Sequence, residues 1–193
     1  MKTIHRDNTV GAKRGFTTKK LVTLALFTAL TYVVSMFSFP IFPATPYLKL
    51  DFGNVFILLS GFLFGPLEAI AVCLVKELLS VINSSSGGVG ELANFIMTSS
   101  YILLPTIVYR YRKGLKAVLI SLIGACFIGT VMATLTNRLI VFPLYMKSAA
   151  PAVFRSVFWF VVGFNLIKTA AIGLVTFLLY KRLSRVLKRL SVT

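Results

Sequence analysis

Lys168 is the only charged residue between Ser156 and Tyr180. A cation at the centre of an apolar helix costs about 2.5–3.5 kcal/mol on insertion scales unless it has a partner or a task. Asn165 stands three residues earlier, on the same helical face, and Glu91 and Asn94 repeat that spacing elsewhere in the chain. An amide both donates and accepts hydrogen bonds, whereas an ammonium only donates. Such a set suits non-covalent recognition of a ligand rich in hydroxyls, carbonyls and ring nitrogens. It does not suit catalysis, because no nucleophile–base set accompanies it. The chain has no GxxxxGK[ST] phosphate loop and no GxSxG with an intramembrane histidine, so neither ATP hydrolysis nor serine hydrolysis is expected of it. Cys73 and Cys126 lie inside apolar runs without CxxC spacing and read as small hydrophobes. The single histidine, His5, is in a polar tail, so no metal site and no cofactor are expected.

The elements that must position these groups are membrane helices. Of 193 residues 57% are hydrophobic and only 13% charged, and the apolar residues come in long runs; this predicts an all-α integral membrane protein. The runs are Leu21–Phe39, Phe52–Phe64, Leu67–Ile82, Leu92–Tyr109, Ala117–Asn137 (with a continuation toward Tyr145) and Ser156–Tyr180. They predict a bundle of six transmembrane helices over 21–182, between basic tails at 1–20 and 183–193. Between the first two runs, "PIFPATPYLKLDF" has three prolines in seven residues and reads as a loop. "PLYMKSAAPAVFR", before the sixth run, reads as another.

The net charge of +16 is concentrated in Lys2–Lys20, Arg110–Lys116 and Lys181–Arg189, each against an apolar run. Positive charge flanking spans marks cytoplasmic loops, which explains the basicity without nucleic acid and puts both termini in the cytoplasm. This topology gives each polar residue a depth. Asp51, Lys76, Glu77, Glu91, Asn94, Asn137, Asn165 and Lys168 all fall toward the outer half. Two readings follow. Lys168 pairs with Glu91 or Glu77 simply to hold helices together, or the set lines a ligand pocket; clustering across several helices favours the pocket. In the first run Ala25 and Ala29 are one turn apart, a spacing that lets another helix approach closely; an ordinary contact within the chain is the expectation from spacing alone.

Three segments carry a family likeness: "PYLKLDFGNVFILLSGFLFGPLEA" (Pro46–Ala69), "GVGELANFI" (Gly88–Ile96) and "NLIK" (Asn165–Lys168). With the alanine pair they span nearly everything after the tail. The chain resembles the substrate-binding S components of energy-coupling factor (ECF) vitamin transporters, most closely the riboflavin-specific ones. The resemblance implies a non-enzymatic, multi-pass subunit of a bacterial plasma membrane, with a vitamin pocket near the outer face capped by the first loop. It implies substrate-site positions at Tyr47, Leu48, Lys49, Asp51, Asn94, Asn165 and Lys168; Glu91 and Asn137 join them on depth and chemistry. It also implies that Ala25 and Ala29 dock a transmembrane coupling (T) subunit carrying two ABC-type ATPases, against which the S component topples to deliver its cargo. Another vitamin, or a self-sufficient proton-coupled carrier using Glu77, Glu91 and Lys168, are the alternative functions.

Overall fold

The computed structural model describes residues 17–84 and 86–190, with side chains as far as Arg182. Most of the expected basic tail, His5 included, and residues 191–193 lie outside the described residues. Helix α1 spans Thr18–Met36, followed by two two-residue strands, β1 Phe39–Pro40 and β2 Lys49–Leu50, paired antiparallel. Then come α2 Gly53–Phe64, α3 Pro66–Val81, α4 Val89–Tyr111 and α5 Leu115–Thr136. A π-helical turn, Asn137–Val141, continues α5 into the short α6, Phe142–Met146; a 3-10 turn, Lys147–Ala149, leads to α7, Ala150–Leu190. Each of the six apolar runs thus contains a helix of at least 12 residues.

Among the described residues three helical stretches are long and apolar enough to cross a membrane: α1, α4 and the continuous stretch Leu115–Arg182; α2 is apolar but short. The continuous stretch doubles back on itself, since α5 and α7 pack side by side. Lys147, with φ +47°, marks the reversal.

Local chemistry explains the boundaries. Gly65 holds φ +122° between α2 and α3, a conformation closed to most side chains, and Pro66 then opens α3 at the position where its missing N–H costs nothing. Gly53 begins α2 where an added Cβ would stand 2.6 Å from the Thr31 carbonyl oxygen, so only glycine lets α1 and α2 approach this closely there. The expected loop over Pro143–Arg155 is instead largely helical. Its prolines misled the sequence reading: Pro143 and Pro151 sit in the first turns of α6 and α7, where proline starts helices rather than ending them. At its other end α7 runs on to Leu190, into the stretch read as a tail.

The chain alternates direction through the bundle. The end of α1, the start of α2, the end of α3, the starts of α4 and α7 and the end of α5 gather at one end, called here the mouth. Aromatic rings meet at the far end: Phe62, Tyr109 and Tyr180 stand with ring centroids 4.9–5.5 Å apart, above a core that includes Ile57, Leu58, Ile102, Val118 and Ile172. Lys20 of α1 reaches Glu68 of α3 at 2.5 Å at that end. Ala25 and Ala29 are exposed on α1, beside exposed Val22, Leu26 and Leu30. Among the described residues no neighbouring element covers that face.

Candidate functional site

At the mouth end the helices part around a cavity of about 990 Å³, a size typical of small-molecule sites. Tyr47, Leu48, Lys49, Asp51, Glu91, Asn94, Asn137, Asn165 and Lys168 all line it. The first loop reaches the cavity through its ribbon: Phe39 opposes Leu50 and Pro40 opposes Lys49. Alternation buries Leu48 and Leu50 against Val161 and Phe164 of α7 and leaves Lys49 exposed between them. That anchorage carries Asp51 inward, where it is only 6% exposed. Tyr47 packs edge-on against Phe142 of α6, centroids 6.3 Å apart, closing the loop onto the other side.

The expected partners of Lys168 need correcting. Its ammonium lies 3.2 Å from Asp51 Oδ2 and donates to Asn94 Oδ1 at 3.0 Å, not to Glu91 or Glu77. Both acids are engaged elsewhere. Glu77 Oε1 accepts from its sequence neighbour Lys76 at 2.9 Å and from the Asn94 Nδ2. Glu91 accepts from the Ser84 and Ser86 hydroxyls at 2.8 and 2.7 Å, fastening the α3–α4 connection. Asp51 Oδ1 in turn accepts the Gly53 N–H at 3.1 Å. Four buried charges from α3, α7 and the first loop, two of each sign, therefore form one linked wall through Asn94. Pairing and hydrogen bonding are what make such burial tolerable.

Two further groups remain open. Asn137 and Asn165 each spend an N–H on their own helix, donating at 2.8 Å to the carbonyls of Ala133 and Val161. Neither carboxamide oxygen has a hydrogen-bond partner among the described residues, and both side chains line the cavity. Asn137 opens the π turn, a local widening frequent at functional sites. Lys168 has three N–H groups and the protein uses two, so one remains for a ligand acceptor. The arrangement offers one charged donor and two amide acceptors, with Phe142, Phe164 and Tyr145 as flat apolar walls.

Sequence reasoning missed several lining residues, Tyr32, Ser86 and Tyr145 among them, while Lys76 and Glu77 entered only through their depth in the polar set and were not named as site positions. Tyr145 Oη donates to the Ser86 carbonyl at 2.6 Å, and Asn83 Nδ2 donates to Tyr32 Oη at 2.9 Å, tying the rim together. The adjacent Lys76–Glu77 charges within an apolar run were an available signal. For Tyr145, in a stretch read as loop, there was none.

Known proteins place this architecture. The family described as "ECF transporter, substrate-specific component" matches residues 19–180. The Riboflavin transporter RibU of Staphylococcus aureus (strain TCH60) is 34% identical over 177 residues, covering 89% of this chain and 94% of that protein. The Riboflavin transporter FmnP of Bacillus subtilis (strain 168) is 31% identical over 175 residues, covering 86% and 92% respectively. A solved structure described as "Structure and mechanism of the S component of a bacterial ECF transporter" superposes with a TM-score of 0.77 at 35% identity, covering 88% of this chain and 98% of that one. With the family model matched over residues 19–180 and a solved member superposing over nearly its whole length, the chain belongs to the substrate-specific components of ECF transporters.

Proposed function

We propose that this chain captures riboflavin at the outer face of a bacterial plasma membrane for an ATP-driven ECF importer. The observation that carries the reading is the mouth-end cavity, where one free Lys168 donor and two free amide oxygens stand between aromatic walls. A flat isoalloxazine ring with carbonyls and ring nitrogens, joined to a hydroxyl-rich ribityl chain, presents the complementary groups. The names of the relatives support the same ligand. Tyr47, Leu48, Lys49 and Asp51 form the cap, and Asn94, Asn137, Asn165 and Lys168 the polar wall. Glu91 acts at the rim by holding the α3–α4 connection.

In this reading α1, α2, α3, α4, α5 and α7 are six membrane crossings with both termini cytoplasmic, since the described residues of the basic clusters, Lys19, Lys20, Arg110–Lys116, Lys181 and Arg182, lie at the far end. ATP is hydrolysed by two ABC-type partners, and the coupling subunit docks on the exposed Ala25–Ala29 face of α1. Toppling against that subunit then delivers the vitamin. Mass spectrometry of the small molecule that co-purifies with the protein tests the ligand: riboflavin is expected, and a different vitamin overturns the assignment. Replacing Ala25 and Ala29 with Phe should abolish uptake in cells while leaving riboflavin affinity within about twofold. Uptake by this chain alone in proteoliposomes would contradict the dependence on partners.

A further inference from the structure

Two charged residues that border the cavity, Lys76 and Glu77, hydrogen-bond each other, and Glu77 also holds Asn94. Lys76 and Glu77 are 4% and 5% exposed, adjacent on α3, and joined at 2.9 Å. The same carboxylate oxygen, Glu77 Oε1, accepts the Asn94 Nδ2. An ionised carboxylate only accepts hydrogen bonds, so it compels Asn94 to turn its NH₂ group toward α3. The Asn94 carbonyl oxygen must then face the opposite way, which is where Lys168 Nζ stands, at 3.0 Å. With the amide reversed, an NH₂ group would confront an ammonium, donor against donor, and the Lys168 side chain would lose one of its two anchors. Lys76 Nζ donates to the same carboxylate oxygen at 2.9 Å and so holds it where it meets Asn94.

We infer that Lys76 and Glu77 are positioning residues: as a pair they set the orientation of the Asn94 amide, and through it aim the one free N–H of Lys168 at the ligand. This rests on the functional reading above and names residues that the reading does not use. It also explains why two adjacent charges persist in an apolar helix, where a hydrophobic pair of similar size would be equally or more stable.

The test is a double-mutant cycle on the full chain in detergent, read as riboflavin affinity with a thermal melt for each variant. Lys76→Met with Glu77→Leu removes the whole pair without stranding a charge. In the otherwise native protein the affinity should fall about tenfold with the melting temperature held or raised. In an Asn94→Ala background the same double change should shift affinity by less than about twofold, because the amide it orients is gone. If the double variant fails to fold, Glu77→Gln, which can also donate and so releases the amide, is run through the same two backgrounds with the same expectation for affinity, and with a lowered melt because Lys76 loses its ion partner. Native affinity in a folded variant, or equal losses in both backgrounds, overturns the positioning role while leaving riboflavin capture standing. A native protein that binds no riboflavin overturns the functional reading, and the role with it.

Discussion

The two ends of the bundle treat polar side chains in opposite ways. At the far end three aromatic rings, from α2, α4 and α7, fill the space between the helices, and the ion pair recorded there, Lys20–Glu68, is only partly buried. At the mouth Asp51, Lys76, Glu77 and Lys168 are all nearly inaccessible, yet they border an open cavity. A far end of this kind is stabilised by dispersion and apolar burial, which need no particular partner. The mouth is held by a linked set of charges, where each member depends on the next. Stability and recognition are therefore separable along the bundle axis, and substitutions should divide accordingly.

Phe62→Ala should produce the largest change and at the far end alone. Truncating this buried ring removes about 3–5 kcal/mol of stability, seen as a lowered denaturation midpoint, with riboflavin affinity of the folded fraction within about twofold. A matching loss of affinity would break the division. Lys168→Met should act in the opposite sense, costing about 1.5–3 kcal/mol of binding, the worth of a hydrogen bond from a charged group. Because it strands Asp51 in a buried place, it should also lower the melting temperature. Combining it with Asp51→Asn should recover the melting temperature but not the affinity, which separates the two roles of the lysine in one pair of titrations. Asn165→Ala should have the smallest effect, about 1 kcal/mol of affinity for one neutral hydrogen bond, with an unchanged melt. Its amide donates only to its own helix, so the fold does not depend on it.

How far this division was legible in the sequence differs residue by residue. Lys168, Asn165, Asn94 and Asn137 stood out because polar groups in apolar runs are costly, and the clusters of basic residues gave them a common depth. Depth, however, says nothing about rotation about a helix axis. Glu91 and Glu77 were at plausible depth for Lys168, but Glu91 turns to the serines of its own loop and Glu77 to its neighbour Lys76. Asp51 took the position through the fold of a loop whose path depends on two leucines packing against α7, a long-range contact with no local trace. The π turn at Asn137 left no compositional mark either, and the prolines of α6 and α7 signalled breaks where they begin helices. The alanine pair showed in the sequence as a spacing, but whether that face is covered or bare depends on the whole bundle.

The central claim is that the mouth-end cavity binds riboflavin, and the most direct measurement is a fluorescence titration of the vitamin with the purified, ligand-stripped protein. The account predicts quenching that saturates at one riboflavin per chain and weakens at least tenfold in the Asp51→Asn, Lys168→Met pair. Undiminished riboflavin fluorescence in a protein with a native melt, or quenching that the pair leaves untouched, would contradict it.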